Sequence, residues 1–267
     1  MQTDDASNLE QTSSEQELSH TDKITGVFSE PTKMFSTTSL FPPRTKDWII
    51  PLLIVFALVG ILRSVALLNE EVYFQAKQDQ TKKIEEMVKN GSIPADQLDS
   101  AQERADKQME FMRGPIGWVI NIVSTLIFGS IFFFIIVAIY FLFVKFLLKG
   151  EGTYQSAMVA SALPMYISAV QFLIAGILTF MMGKMIMDTS VATFTGTERS
   201  NILGFILSKI DPISIWAYFV LSIGLAKMFK SQSVGKYYIL VFGLWIVGGL
   251  LIWFIAKAVP FLSFLNM

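Results

Sequence analysis

Five blocks of this chain are long and apolar enough to cross the hydrocarbon core of a bilayer, and nothing else in the sequence limits its fold as severely. A helical crossing takes about 20 residues, with a range of roughly 17 to 25. The blocks run from Trp48 to Leu68, Ile116 to Val144, Ala157 to Met182, Ile213 to Phe229 and Tyr237 to Ala256. Ile131 to Ile139, reading IFFFIIVAI, lacks the alternation of polar and apolar residues that a barrel strand needs, so helices are the spanning form. A soluble globule does not fit, because 52% of the 267 residues are hydrophobic and only 16% are charged, too few to cover such a core. The expected fold class is an all-α membrane protein: a five-span transmembrane helical bundle with an extracytoplasmic helical hairpin between spans one and two.

Three regions follow from composition. Residues 1–22 carry six acidic side chains and no apolar run, which predicts a disordered acidic cytoplasmic tail and not a cleaved signal peptide. Residues 23–47 hold Val27, Phe28, Met34, Phe35, Leu40 and Phe41 among polar residues, with a helix start at Ser29-Glu30-Pro31. That pattern predicts an amphipathic segment on the inner membrane surface. Residues 48–267 form the bundle. Lys33, Arg44, Lys46, Lys145, Lys149, Lys227, Lys230 and Lys236 fall on one side of it, which predicts a cytoplasmic N-terminus and an extracytoplasmic C-terminus.

Residues 69–115 are the longest polar segment, with ten acidic and seven basic side chains. Glu70 to Asn90 and Ala95 to Arg113 read as helices separated by Asn90-Gly91 and Pro94. Val72, Ala76, Ile84 and Val88 on the first, and Leu98, Ala101, Ala105, Met109 and Met112 on the second, form apolar stripes that face each other in a hairpin. Glu85 with Lys89 and Glu103 with Lys107 stand four apart with the acid first, the favourable order. The hairpin serves either as a solvated connector or as a docking surface.

Ionisable and polar residues within spans are the candidate sites, since each is costly in lipid. Arg63 lies about 22 Å along its helix from Trp48, at the end where Asp211 opens the fourth span. The two either pair, or Arg63 reaches the headgroups while Asp211 caps a helix begun by Pro212. Asn121 and Gln171 are expected to bond neighbouring helices or to line a solute path, and Pro164 to kink the third span and free a carbonyl. Gly60 with Ser64, Ala157 with Ser161 and Ser222 with Ala226 are small pairs that admit close helix contact.

Catalysis has little to work with. The chain has no Cys and a single His, His20, and carries no P-loop, H-E-x-x-H, G-x-S-x-G or nucleotide fingerprint, so no catalytic, cofactor or metal residue is assigned. The net charge of −1 offers nucleic acid no basic face.

Several segments resemble the Yip family of five-span membrane proteins, the Rab-interacting proteins of secretory pathways and their prokaryotic relatives. They are Val27-Phe28-Ser29-Glu30-Pro31-Thr32-Lys33-Met34-Phe35, then Gly150-Glu151-Gly152-Thr153-Tyr154, then Ala162-Leu163-Pro164, and finally Asp211-Pro212-Ile213-Ser214-Ile215-Trp216 with Gly224-Leu225. The long loop after the first span resembles the bacterial branch. The resemblance implies a non-enzymatic scaffold or accessory subunit without cofactor, acting with an ABC-type exporter or in envelope stress. Its partners would be lipid and another integral membrane protein, with a homo-oligomer open as well. The alternative reading is a small-solute channel or carrier using the kinked third span.

Overall fold

The first helix begins where the acidic tail was expected to continue. In the computed structural model, which describes residues 16–258, Ser19 and Asp22 form a reciprocal capping box that opens α1 (His20–Ser29). Residues 1–15 of the expected tail lie outside the described residues, and the boundary at 22 is corrected to about 18. Pro31 then starts α2 (Pro31–Thr38). The two short helices pack so closely that a Cβ on Gly26 would stand 2.6 Å from Met34 Cβ.

The segment does not turn its apolar face to lipid, as a surface helix would. Val27 and Phe35 are fully buried and Met34 nearly so, all three within the bundle core, with α2 packed against the helix Pro212–Met228, while Thr25, Ser29, Thr32 and Lys33 face outward. The expectation of an interfacial helix therefore gives way to a pair of helices built into the bundle. Its apolar stripe is satisfied by neighbouring helices before lipid can claim it.

The remaining elements follow the apolar blocks. They are α3 (Lys46–Ala66), α4 (Glu70–Lys89), α5 (Leu98–Arg113), α6 (Pro115–Leu142), α7 (Tyr154–Ala162), α8 (Met165–Met182), α9 (Val191–Thr195), α10 (Ile202–Ser208), α11 (Pro212–Met228), α12 (Gly235–Gly243) and α13 (Gly249–Ala258). Five-residue π turns extend α6 through Leu147 and join α12 to α13. No strand occurs among the described residues. Lys46–Ala66, Pro115–Leu147, Tyr154–Met182 and Gly235–Lys257 are each long and apolar enough to cross a membrane, and α10 with α11 pass the same test together but are bent by 62°, which gives four such helices, or five if the bent pair counts as one. The fourth block is thus shorter than a clean span, because Lys209, Ile210 and Asp211 interrupt it ahead of Pro212.

α4 and α5 run antiparallel, tied by Arg113 to Glu70 and by Lys77 to Asp106 at 2.9 Å, with Val72, Ile84 and Ala105 buried. Of the two intrahelical pairs, Glu103 with Lys107 closes at 2.6 Å, and Glu85 with Lys89 forms no ion pair among the described residues. The best-packed core lies where α2, α7, α11, α12 and the second half of α6 meet, with Val137, Val144, Leu163, Leu225, Phe229 and Tyr237 almost wholly enclosed. Gly150 and Gly152 close this end: a Cβ on either would stand under 3 Å from the Phe229 ring, and Glu151 N–H donates to Phe229 O at 3.2 Å.

Candidate functional site

Two buried polar clusters tie the helices together. The first centres on Asp211, the N-cap of α11, whose carboxylate is almost fully enclosed. Its Oδ1 accepts from the backbone N–H groups of Ile213 at 3.0 Å and Ser214 at 3.2 Å, and from Thr189 Oγ1 at 3.0 Å. Its Oδ2 accepts from Gln171 Nε2 and from Thr189 N–H at 3.2 Å. Gln171 Nε2 also reaches Ser214 Oγ at 3.0 Å. Pro212 at the first helical position has no N–H to leave orphaned, so the cap satisfies the turn with the donors that remain. The cluster joins α8, the loop after it and α11.

Arg63 stays apart from it. The guanidinium is exposed at the end of α3, beside a cavity of about 40 Å³ lined by Leu62, Phe172, Gly176, Thr179 and Met185, and forms no ion pair among the described residues. Of the two arrangements open in the sequence, the capping one is formed and the Arg63–Asp211 pair is not. The capping geometry wins because backbone N–H groups and Gln171 fill the carboxylate's lone pairs without bringing a second charge into the apolar bundle.

Asn121 belongs elsewhere. Its Nδ2 donates to Gly60 O at 3.0 Å and to Ser64 Oγ at 2.8 Å, joining α6 to α3. A Cβ on Gly60 would stand 2.9 Å from Ile122 Cα, so the small pair Gly60 and Ser64 does admit a close helix, as the spacing predicts. Asn121 and Gln171 therefore do not line one common path. Trp216 is partly exposed and packs edge-on to Phe28 of α1, ring centres 5.8 Å apart. Pro164 breaks the third block into α7 and α8. Pro164 has no N–H for Ala160 O, and that carbonyl is approached by Gly224, whose added Cβ would stand 3.1 Å away. The helices α7 and α11 are therefore packed closely at the break. Below the break, a cavity of about 250 Å³ between α8 and α11 is lined by Ser161, Ser168, Gln171, Ser214 and Tyr218, and Ser161 Oγ is buried in it without a partner.

The second cluster was missed from sequence. His20 Nδ1 lies 3.1 Å from Asp47 Oδ1, His20 Nε2 lies 2.8 Å from Tyr166 OH, and Lys23 Nζ pairs with Asp47 Oδ2. Lys23 and Asp47 are each 1% exposed, so this is a buried ion pair at the point where α1, α3 and α8 meet. With the imidazole neutral, Nδ1–H donates to the carboxylate and Nε2 accepts from the phenol, and each polar atom is used. The signals in the sequence were Ser19-x-x-Asp22, a capping pattern, and His20, Lys23 and Val27 at helical spacing.

Outside the spans, Asp188 binds Arg199 at 2.7 Å and Thr193 Oγ1 at 2.7 Å. Burial works against its ionised form, yet hydrogen bonds from Thr193 and Ser190 and the charge of Arg199 hold the carboxyl below its usual range.

The fold and these clusters define an all-helical protein of membrane-spanning type with interhelical polar locks. Comparison with known proteins finds no matching family model, no matching curated protein and no matching solved structure.

Proposed function

We propose that this chain is a non-enzymatic five-span scaffold or accessory subunit of the inner membrane that binds another integral membrane protein, with α4 and α5 as an extracytoplasmic hairpin. Its N-terminus would be cytoplasmic and its C-terminus outside. The observation that carries the reading is the closure of the two buried clusters: the carboxylate oxygens of Asp211 and Asp47 are occupied by groups of the same chain. Such groups hold helices in register and leave no general acid, base or nucleophile poised at an opening. The segments that resemble the Yip family would suit this role, and the resemblance suggests an exporter or an envelope stress system as the partner class.

The cavity below Pro164, lined by hydroxyl and amide groups, favours the second reading, a small-solute channel or carrier. Affinity purification in mild detergent with quantitative mass spectrometry, run beside solute flux in liposomes holding only this chain, separates the two. Stoichiometric co-purification of one membrane protein with no flux supports the scaffold. Saturable flux by the isolated chain overturns it.

A further inference from the structure

The loop after α10 holds a half-buried lysine, Lys209, that makes no ion pair among the described residues; the nearby charges of Asp188 and Arg199 act on it with opposite sign. Lys209 Nζ lies 5.0 Å from the centre of the Phe205 ring and 5.3 Å from that of Trp245. A Cβ on Gly249 would stand 3.0 Å from the same nitrogen, so a bare backbone at Gly249 is what seats the ammonium there. Among the described residues this ammonium has no carboxylate within ion-pair distance and donates no hydrogen bond. A second cation flanks the same aromatic group. Lys257 Nζ lies 4.8 Å over Trp253, and Trp253 packs on Phe205 with ring centres 6.2 Å apart. Lys257 also lacks an ion pair among the described residues. Trp253 is fixed by its Nε1–H donating to Arg199 O at 2.9 Å, while the Arg199 guanidinium is committed to Asp188.

Aromatic faces offset part of the cost of removing an ammonium from water, but they supply no counter-charge. Two such cations on one cluster leave a place for an anion. The surroundings say which kind: Ile206 and Ile210 beside Lys209, and Ile252 and Ile255 on α13, are all exposed, a surface suited to acyl chains. Trp253 with Lys257 stands at the end of the last apolar helix, where a tryptophan beside a lysine marks headgroup level, and Lys209 reaches the same aromatic group through Phe205.

We propose that Lys209 and Lys257 bind the headgroup phosphate of a net-anionic phospholipid, whose chains lie along the exposed isoleucines of α10 and α13. The inference concerns lipid recognition and holds whether or not the scaffold reading survives.

The test uses the full-length protein in mild detergent, offered phosphatidylglycerol and phosphatidylcholine in equal amounts and read by native mass spectrometry. The wild-type chain is expected to retain phosphatidylglycerol preferentially. Lys209→Gln and Lys257→Gln should each lower retention about fivefold, as expected for one lysine at an anionic surface. Lys209→Arg should keep it. Gly249→Val, which displaces the ammonium without changing the charge, should lower it. Lys257 is exposed near a helix end, so Lys257→Gln remains informative if a change at Lys209 impairs folding. Equal retention of the two lipids by the wild type, undiminished retention in Lys257→Gln, or displacement by millimolar inorganic phosphate would each overturn the proposal.

Discussion

Asp211 takes part in five hydrogen bonds to its carboxylate, and the substitutions that test it differ in how many they remove. Asp211→Ala removes the carboxylate that accepts from the backbone N–H groups of Thr189, Ile213 and Ser214, and leaves Gln171 Nε2 with hydroxyl acceptors such as Ser214 Oγ. Unmet buried groups cost about 1–3 kcal/mol each, so a loss of several kcal/mol and a clear fall in melting temperature in detergent are expected. Asp211→Asn keeps one carbonyl oxygen and should cost roughly half as much. A pair of equal falls would mean that charge, not hydrogen bonding, is what the site needs. At Asp47 the question is the reverse. Lys23→Met alone strands a buried carboxylate and should destabilise by about 3–5 kcal/mol, whereas Lys23→Met with Asp47→Leu should recover most of the loss. The thermal melts of the four members of that cycle measure the coupling. Asp188 provides the pH dependence: its folded-state pKa is lowered, so its contribution is fully present above the unfolded carboxylate value near ~3.9 and fades as pH falls through the folded one. Melting temperature should drop between pH 5 and 3 by more in the wild type than in Asp188→Asn, after allowing for the acid response common to both.

At the scale of elements, α11 packs against α2, α7, α8 and α12, and its close contacts depend on Gly224. A Cβ there would stand 2.8 Å from Phe35 Cζ and 3.1 Å from Ala160 O, one a side chain of α2 and the other the backbone of α7. Phe35 is fully buried and cannot swing aside. Gly224→Val is therefore expected to cost about 1–3 kcal/mol by overpacking and to loosen α1 and α2 first. Hydrogen exchange should rise in residues 20–38 before it rises in α6 or α8, and uniform exchange across the chain would contradict that order. The same helices mark where the sequence was readable. The apolar blocks, the stop at Asn90-Gly91 and the cap at Asp211 with Pro212 are local signals, and α3, α4, α6 and α11 begin or end close to where those signals stand. Local signals do not say what covers a face. Val27, Met34 and Phe35 read as amphipathic in either setting, and only the docking of α2 on α11 decides between lipid and protein. His20 was illegible for a related reason, since its partners Asp47 and Tyr166 are 27 and 146 residues away. Asn121 and Gln171 were recognisable as interhelical donors, but nothing in their spacing told which helix each would meet.

For the molecule as a whole, length against membrane thickness is the unresolved tension. The helix Pro115–Leu147 has 33 residues and extends about 50 Å, against a hydrocarbon core of roughly 30 Å, while α3 beside it has 21 residues. Trp48 at the start of α3 packs against Phe134 rather than against the far end of that helix, so the first span begins well short of Leu147. The well-packed core formed by α2, α7, α11 and α12 fills the space alongside that remainder. Tilt alone does not absorb a difference of this size without separating α6 from α3, and the contact of Gly60 with Ile122 holds the two together. In the proposed orientation the excess length belongs to the cytoplasmic side, where Lys145, Lys149, Lys230 and Lys236 gather. The absence of Cys from the sequence makes this measurable without background. In intact cells, a membrane-impermeant maleimide should label Thr197→Cys or Gly91→Cys and leave Ser233→Cys untouched until the membrane is opened. Leu147→Cys should also react once the membrane is opened, at a rate near that of Ser233→Cys, if that end of α6 stands in water. Labelling of Ser233→Cys in sealed cells would invert the topology, and with it the side on which a partner must be sought.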